Sequence, residues 1–263
     1  MRFSTTITDN PLKAKLTNGQ AVLGTWVNNL RDPILVKMIA ACGFDFVSLD
    51  MEHGSASTET IANSCLLARE CGLAPLVRVY DPMNIRQNAR VVDIGASGLI
   101  FPDVTSKEMA QRAVNSVRYF NNGTRNYSDF SLATSFTANT EDDMKRCDEQ
   151  VVIVIMIEGV VGVEKIDEIL SVPGIDVVFV GRGDLAHDMG FSGRLGDPKV
   201  NEMVDVVADA VKRRNIAYGL MVSNAEQGVS MIKKGVKFIH FSNEQAILMN
   251  AYNQFVKEMR DKL

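Results

Sequence analysis

Short apolar stretches and longer amphipathic stretches alternate eight times along the sequence, and this alternation restricts the fold more than any other feature. The apolar stretches have the length and composition of buried strands, and the segments between them show helical periodicity. The predicted strands are Ala21–Val27, Phe44–Asp50, Ala74–Val79, Gly98–Pro102, Val151–Ile157, Asp176–Gly181, Ala217–Val222 and Lys237–Phe241. The predicted helices are Asn10–Gly19, Pro33–Ala41, Ser57–Cys71, Asn84–Ile94, Ser106–Tyr119, Val163–Leu170, Pro198–Arg214, Ala225–Lys234 and Gln245–Leu263.

Most predicted strands are almost continuously apolar, as in Val151–Ile157, which is typical of parallel strands buried on both faces. Eight strand–helix units in 263 residues fit one closed (β/α)8 barrel. We therefore predict an α/β fold, a TIM barrel that forms a single domain over residues 1–263. The segment 121–149 interrupts the alternation, and we expect it to be a lid or an oligomer contact.

The composition argues against several function classes. The net charge of −4 and the pI of about 5.5 leave no basic surface for nucleic acid or an anionic membrane. No apolar run approaches the roughly 18 residues of a membrane helix, and the N-terminus lacks a signal-peptide core. The four cysteines show no metal-site spacing and are typical of reduced thiols, so we expect a cytoplasmic protein.

Polar residues follow the predicted strands where the strands end, whereas the N-terminal ends show no such group. In a barrel of this kind, the C-terminal strand ends surround one mouth, which carries the active site. The polar residues at these ends are Asp50, His53, Arg78, Asp103, Glu158, Asp184, Ser223, Asn224, Ser242 and Asn243. We predict that they converge.

Two interpretations are open for the side chains of the second and third strands. Asp50 could orient the imidazole of His53 and raise its basicity, or His53 could cap the helix that begins near Ser55–Thr58. Arg78 lies within a strand and needs a partner, because a buried arginine is rarely left alone. That partner is a carboxylate, from Asp50 or Glu52, or an oxyanion of the substrate.

Glu158 and Asp184 end adjacent strands and suit a divalent cation. Two carboxylates without a third protein ligand leave coordination positions open for water or a chelating substrate, as Mg²⁺ and Mn²⁺ require. Taken singly, each carboxylate could instead cap the following helix, and Arg182 could form an ion pair with Asp184. Their occurrence on adjacent strands favours the metal site.

Other catalytic groups are scarce at this end of the barrel. No predicted strand ends in lysine, which argues against a Schiff base, and the last two strands lack glycine-rich phosphate loops. We expect His187 to be exposed and His240 to be packed in the core, while Trp26 either lines the pocket or only packs. Metal-assisted polarisation and one histidine base remain.

Several motifs occur in an order that indicates a family. They are Gly24-Thr25-Trp26, Asp50-Met51-Glu52-His53, Val77-Arg78, Asp93-Ile94-Gly95-Ala96-Ser97-Gly98, Arg118-Tyr119, Ile157-Glu158 and Asp184-Leu185. From about Pro11 to Phe255, the chain resembles the HpcH/HpaI aldolase family, class II pyruvate aldolases of the phosphoenolpyruvate/pyruvate barrel superfamily. The resemblance implies a metal-dependent lyase that cleaves a 4-hydroxy-2-oxo acid reversibly to pyruvate and an aldehyde.

The resemblance also implies roles for residues. Glu158 and Asp184 would hold a divalent ion (Mg²⁺, Mn²⁺ or Co²⁺) that chelates the 2-oxo acid. Arg78 would stabilise the enolate oxygen, and His53, oriented by Asp50, would take the proton of the 4-hydroxyl group. The residues expected to bind substrate are Trp26, Arg78, Gly181, Arg182 and Gly183, and those expected to support the site are Asp93 and Asp103. A homo-oligomer, hexamer or dimer, is implied, with the last helix packed on or exchanged with a neighbouring subunit.

The chain departs from the family pattern near the substrate. Met156 stands where a glutamine is usual, and Gly181-Arg182-Gly183-Asp184 replaces Gly-Pro-x-Asp. Asn121-Asn122 replaces a pair of prolines, and Arg125-Asn126 replaces Arg-Gly. A Claisen-type transferase therefore remains an alternative, such as the relative in siderophore pathways that makes citrate from oxaloacetate and acetyl-CoA. A ligand-binding relative without turnover is a third alternative.

Overall fold

Eight parallel strands close into a barrel in the order β1 to β8, with β8 pairing back to β1. The structure is a computed structural model and describes residues 9–120, 122–128, 130–136 and 140–263. The strands are β1 Val22–Val27, β2 Phe46–Asp50, β3 Ala74–Arg78, β4 Gly98–Phe101, β5 Val152–Ile157, β6 Val177–Val180, β7 Ala217–Val222 and β8 Phe238–Asn243. The predicted fold class, an α/β TIM barrel, is confirmed.

The helices surround this barrel. They are α1 Pro11–Thr17, α2 Ile34–Ala41, α3 Thr58–Glu70, α4 Ile85–Asp93, α5 Lys107–Ser116, α6 Glu141–Gln150, α7 Val160–Glu164, α8 Ile166–Ile169, α9 Arg182–Asp188, α10 Pro198–Arg214, α11 Ala225–Lys233 and α12 Glu244–Arg260. The sequence pattern predicted α7 and α8 as one helix and did not predict α6 or α9. In the part of the chain that the structure describes, no helix combines the length and the apolar character that a membrane span requires.

Two apolar layers account for the stability of this arrangement. The outer layer packs the helices against the strands, and the inner layer fills the barrel with residues such as Phe46, Phe179 and Phe238. Gly24 of β1 faces the ring of Phe46, and a Cβ at residue 24 would lie 2.2 Å from that ring. Glycine at this position therefore lets a phenylalanine fill the barrel, as dense core packing requires.

The segment between α5 and α6 packs at the end of the barrel that is opposite the strand C-termini. The buried guanidinium of Arg125 contacts Asp93 at 2.5 Å, at the last residue of α4, and Leu132 N donates to Asp93 O. Helices of a (β/α)8 barrel run opposite to its strands, so their C-termini lie away from the active-site mouth. The described part of 121–149 is thus not a lid, and the oligomer contact stays a prediction. Asn121 lies outside the described residues.

Candidate active site

The C-terminal ends of the strands surround a cavity of about 550 Å³. The cavity is lined by every residue that was predicted to be a metal ligand, the catalytic base or a substrate contact. Asp50, which was predicted to orient the base, does not line it. The predicted residues that line it are Trp26, His53, Arg78, Glu158, Gly181, Arg182, Gly183, Asp184, Ser223, Ser242 and Asn243, whereas Asp103 and Asn224, like Asp50, are not part of its lining. Side chains from separate strands therefore meet at one mouth, as the sequence pattern predicted.

Arg78 is held by two carboxylates. In the register of β2 and β3, it lies opposite Asp50, to whose carboxylate it donates two hydrogen bonds, from Nε at 2.9 Å and from Nη2 at 2.7 Å. Its Nη1 lies 3.0 Å from Glu52 Oε2, and its guanidinium lies over the ring of Trp26 at 4.8 Å. The carboxylate alternative for the partner of Arg78 is confirmed, and a fixed cation results at the cavity wall.

Asp50 does not orient the imidazole of His53. Besides Arg78, its carboxylate accepts hydrogen bonds from Asn28 Nδ2 at 3.1 Å and from the main-chain N–H groups of Glu52 and His53 at 3.0 and 3.3 Å. The side chain of His53 is 65% exposed, and its Nε2 lies 3.9 Å from Glu52 Oε2. The predicted Asp50–imidazole hydrogen bond is wrong, because the turn after β2 directs the ring outward while Arg78 occupies the carboxylate.

The alternative role of His53 as a helix cap is also wrong. The N-cap of α3 is Ser57, whose Oγ accepts from Thr60 N at 3.2 Å. The imidazole therefore lies at the cavity edge beside Glu52, where it is accessible to a ligand.

Glu158, directly after β5, carries a buried oxygen without a partner. The residue is 8% exposed, and its Oε1 accepts from Asp103 N at 2.7 Å. Its Oε2 has no hydrogen-bond partner among the described residues. Burial raises the pKa of Glu158 to about 7, the hydrogen bond from Asp103 opposes this shift, and the charges of Asp184 and Glu52 add to it. A buried, ionised carboxylate with an unpaired oxygen lowers the stability of the fold unless a cation compensates its charge.

Neither Glu158 nor Asp184 caps a helix. The N-cap residues of α7 and α9 are Gly159 and Gly181, neither of which makes a side-chain cap hydrogen bond. Asp184 lies exposed in the first turn of α9. The cap alternatives are therefore wrong, and both carboxylates are free for a ligand.

Arg182 does not pair with Asp184. Its Nη2 donates instead to Leu195 O at 2.7 Å and to Asn201 Oδ1 at 2.5 Å. The side chain extends from the start of α9 toward α10 because both acceptors lie there, so the predicted ion pair is wrong.

The donor set at Glu158 and Asp184 fits a divalent cation. The unpaired Oε2 of Glu158 is a hard oxygen donor, and Asp184 is near enough for its charge to affect the pKa of Glu158. Within the described ranges, no three His, Cys, Asp or Glu side chains could hold a metal ion together.

Gly181 is necessary for this arrangement. A Cβ at residue 181 would lie 2.4 Å from Oε2 of Glu158 and would occupy the space beside the unpaired oxygen. The sequence pattern placed Gly181 at the substrate, and the structure adds this steric reason.

Asp103 and Asp93 lie in different places. Asp103 supports Glu158 through its main-chain N–H, in a left-handed conformation with φ of 45°. Burial raises the pKa of Asp103, and the charges of Asp188 and Asp184 raise it further. Asp93 binds Arg125 at the far end of the barrel, so the structure does not bring it to the cavity.

The histidines that were predicted to lie outside the site do so. His240 is fully buried beneath the cavity, where it stacks on Trp26 and its Nε2 lies 2.7 Å from Ser48 Oγ. Burial lowers the pKa of His240, and the charge of Arg78 lowers it further, so the ring is neutral. His187 is exposed and contacts Ser192 Oγ at 2.7 Å. Trp26 both lines the cavity and packs.

Sequence reasoning missed Glu244, which fixes one side of the mouth. This residue is 5% exposed at the start of α12, and its carboxylate accepts hydrogen bonds from the N–H groups of Asn28, Asn29 and Leu30 at 2.7 to 3.1 Å. Asn28 in turn contacts Asp50. The sequence did contain a signal for this role, because Glu244 is an acidic residue that directly follows the polar end of β8.

Comparisons with known proteins show which proteins this chain is similar to. The HpcH/HpaI aldolase/citrate lyase family model matches residues 23–251. A hydroxypyruvate/pyruvate aldolase from Roseovarius nubinhibens is 32% identical over 206 residues, 78% of this chain and 77% of that protein. A 4-hydroxy-2-oxo-heptane-1,7-dioate aldolase from Escherichia coli is 26% identical over 245 residues, 92% of each chain. The crystal structure of the citrate synthase SbnG aligns with a TM-score of 0.85 and 28% identity, over 95% of this chain and 98% of that one.

Proposed function

The chain belongs to the HpcH/HpaI aldolase/citrate lyase family, and we propose that this carbon–carbon lyase cleaves a 4-hydroxy-2-oxo acid reversibly to pyruvate and an aldehyde. The observation that carries the proposal is the unpaired, buried Oε2 of Glu158 in the cavity that also contains Asp184, Arg78 and His53. A cation site, a fixed positive charge and an accessible base are the three groups that aldol cleavage of such an acid needs.

Glu158 and Asp184 are the proposed ligands of a divalent cation, Mg²⁺, Mn²⁺ or Co²⁺. When bound, this ion supplies a Lewis acid that lowers the energy of the pyruvate enolate. Asp103 N–H holds Glu158 Oε1, so Oε2 is the oxygen that would be free to bind the ion.

The proton and electron transfers follow from the positions of His53 and Arg78. His53 accepts the proton of the 4-hydroxyl group, the bond between C3 and C4 breaks, and C4 leaves as the carbonyl carbon of the aldehyde. The electron pair of that bond forms the enolate of pyruvate, whose negative oxygen is stabilised by the guanidinium of Arg78. A proton from solvent then adds to C3 and gives pyruvate, and His53 releases its proton to solvent, so the reaction is balanced without an oxidant or reductant.

Exchange of the pyruvate methyl protons with solvent in D₂O tests this proposal. We expect exchange that requires a divalent ion, because the enolate forms only when its charge is stabilised. An enzyme that catalyses no exchange with any of the three ions would contradict the proposal.

A Claisen-type transferase is the second candidate, and the likeness to the citrate synthase SbnG favours it. In that reaction, the methyl carbon of acetyl-CoA attacks the keto carbon of oxaloacetate, and water releases the thiol. Consumption of the thioester in the presence of oxaloacetate, without exchange of pyruvate protons, would identify this activity. Retained ligand binding without either reaction would indicate a relative without turnover.

We also propose a homo-oligomer, dimer or hexamer, in which α12 packs on or exchanges with a neighbouring subunit. This helix has only one buried residue, Glu244, and carries several exposed large apolar side chains. They are Ile247, Leu248, Met249, Tyr252, Phe255, Val256 and Met259. An apolar face of this size is typical of an interaction surface.

We propose a cytoplasmic location. Cys42 and Cys71 are free and exposed, as is typical of proteins in a reducing compartment.

A further inference from the structure

The guanidinium of Arg182 is held in a fixed position at the cavity wall. It lies at the first residue of α9, and its Nη2 donates to Leu195 O and to Asn201 Oδ1. Asn201 is itself fixed, because its Nδ2 donates to Gly196 O at 3.2 Å. Arg182, Leu195 and Gly196 all line the cavity. The arginine is therefore positioned before any ligand binds, which reduces the entropy that binding would cost.

The positive charge of Arg182 has no carboxylate partner. Both acceptors of Nη2 are neutral oxygens, and none of the ion pairs within the described ranges includes Arg182. Its Nε is buried and, among the described residues, has no hydrogen-bond partner. Arg78 differs, because it forms ion pairs with both Asp50 and Glu52. An uncompensated arginine with unused donors is a binding group for an anion.

The cavity has room for a second reactant. Its volume of about 550 Å³ lies within the range of pockets that bind drug-sized molecules, whereas pyruvate has only three carbon atoms. Arg78 ends β3 and is held by Asp50 and Glu52, whereas Arg182 begins α9 and is held by Leu195 and Asn201, and both arginines line the cavity. The two arginines are thus placed for two different parts of the substrate.

We propose that Arg182 binds a second anionic group, a carboxylate or a phosphate, on the part of the substrate that leaves as the aldehyde. The inference rests on the proposed aldol cleavage and specifies its substrate class, 4-hydroxy-2-oxo acids with a second negative charge. Arg182 then acts as a specificity-determining residue and takes no part in proton transfer.

Condensation of pyruvate with matched pairs of aldehydes tests the proposal. Succinic semialdehyde is compared with butanal, and glyceraldehyde 3-phosphate is compared with glyceraldehyde, so that only the anionic group differs within a pair. We expect the wild-type enzyme to have a kcat/KM about 10- to 100-fold higher for the charged member of one pair, as for a charge-assisted contact. A preference for succinic semialdehyde over butanal identifies a carboxylate as the ligand of Arg182, and a preference for glyceraldehyde 3-phosphate over glyceraldehyde identifies a phosphate.

Three variants separate charge recognition from a structural role. Arg182→Met should remove the preference, mainly through a higher KM for the charged aldehyde, and Arg182→Lys should restore part of it. Asn201→Ala retains the charge and should retain most of the preference. Arg213→Met is the matched control, because this exposed arginine lies on α10 and forms an ion pair with Asp167. Its rates should equal those of the wild type.

Two results would overturn the proposal. The first is a wild-type enzyme that does not prefer the charged member of either pair. The second is an Arg182→Met variant that lowers kcat/KM equally for charged and neutral aldehydes, as loss of the contacts to Leu195 and Asn201 alone would do. If the wild type condenses pyruvate with none of the four aldehydes, the proposed function fails and this inference fails with it.

Discussion

Arg78 donates two hydrogen bonds to the carboxylate of Asp50 across the β2–β3 register, at 2.9 and 2.7 Å. The side chain of Asp50 is fully buried and that of Arg78 is 9% exposed. Because the pair is shielded from water, its geometry fixes the cation of Arg78 relative to the cavity. Asp50 therefore positions Arg78 at the mouth and does not position the imidazole of His53.

Replacing Asp50 should destabilise the protein. Asp50→Asn removes one of the two ion pairs of the buried Arg78 and leaves the one with Glu52, and we expect the free energy of unfolding to fall by about 1–3 kcal/mol. Urea unfolding measures the change. The matched control is Asp167→Asn, which breaks the exposed ion pair with Arg213 and should cost less than about 1 kcal/mol. Equal losses in the two variants would contradict the buried-pair interpretation.

His53→Ala should abolish most turnover while the protein still binds the cation. Loss of a general base typically lowers kcat by about 100- to 10,000-fold. Steady-state cleavage of a 4-hydroxy-2-oxo acid gives the rate, and Mn²⁺ titration shows that the cation site is intact. His187→Ala, at an exposed histidine of α9, is the control and should keep the wild-type rate. A His53→Ala enzyme with that rate would exclude His53 from the mechanism.

The raised pKa of Glu158 predicts a pH-dependent stability of the metal-free protein. The pKa of Glu158 is about 7 in the folded protein, whereas the ordinary pKa of a glutamate is 4.5, so the folded protein holds this proton up to a higher pH. The unfolding free energy should therefore fall as the pH rises from about 4.5 to 7, by at most about 3 kcal/mol from this group. In Glu158→Gln this part of the dependence should be absent.

Chemical unfolding at several pH values in the presence of a chelator measures the difference between the wild type and Glu158→Gln. That difference isolates Glu158, because every other side chain is the same in the two proteins. Parallel stability curves for the two proteins would show that Glu158 ionises normally.

The apolar face of α12 predicts self-association. Tyr252 and Phe255 are 63% and 64% exposed in the single chain, and charged residues at both positions should dissociate the oligomer. Sedimentation velocity compares the double variant Tyr252→Asp, Phe255→Asp with the wild type. Val206→Asp, at an exposed apolar residue of α10, is the control. A wild-type protein that sediments as a monomer would refute the proposed assembly.

The sequence predicted the barrel and the residues of its mouth because both depend on short-range patterns. A continuous apolar run such as Val152–Ile157 forms a parallel strand, and the residue that follows it, Glu158, must lie at the C-terminal end. The closed strand order then brings Arg78 and Asp184 to the same cavity. Residues that are distant in sequence thus meet because each one lies at the end of a strand or shortly after it.

The directions of the side chains could not be predicted in the same way. Asp50 and His53 are three residues apart, but the turn presents only the main-chain N–H of His53 to Asp50, and the carboxylate contacts Arg78 of the next strand. The contact of Arg125 with Asp93 likewise joins distant parts of the chain. Such contacts depend on strand register and helix packing, which no local pattern encodes.

Equilibrium binding of Mn²⁺, measured by electron paramagnetic resonance, tests most directly whether Glu158 and Asp184 hold one cation together. We predict one site per wild-type chain, binding at least about 10-fold weaker in Asp184→Asn and in Glu158→Gln, and wild-type affinity in His53→Ala. Wild-type affinity in both carboxylate variants would place the cation elsewhere and contradict the account.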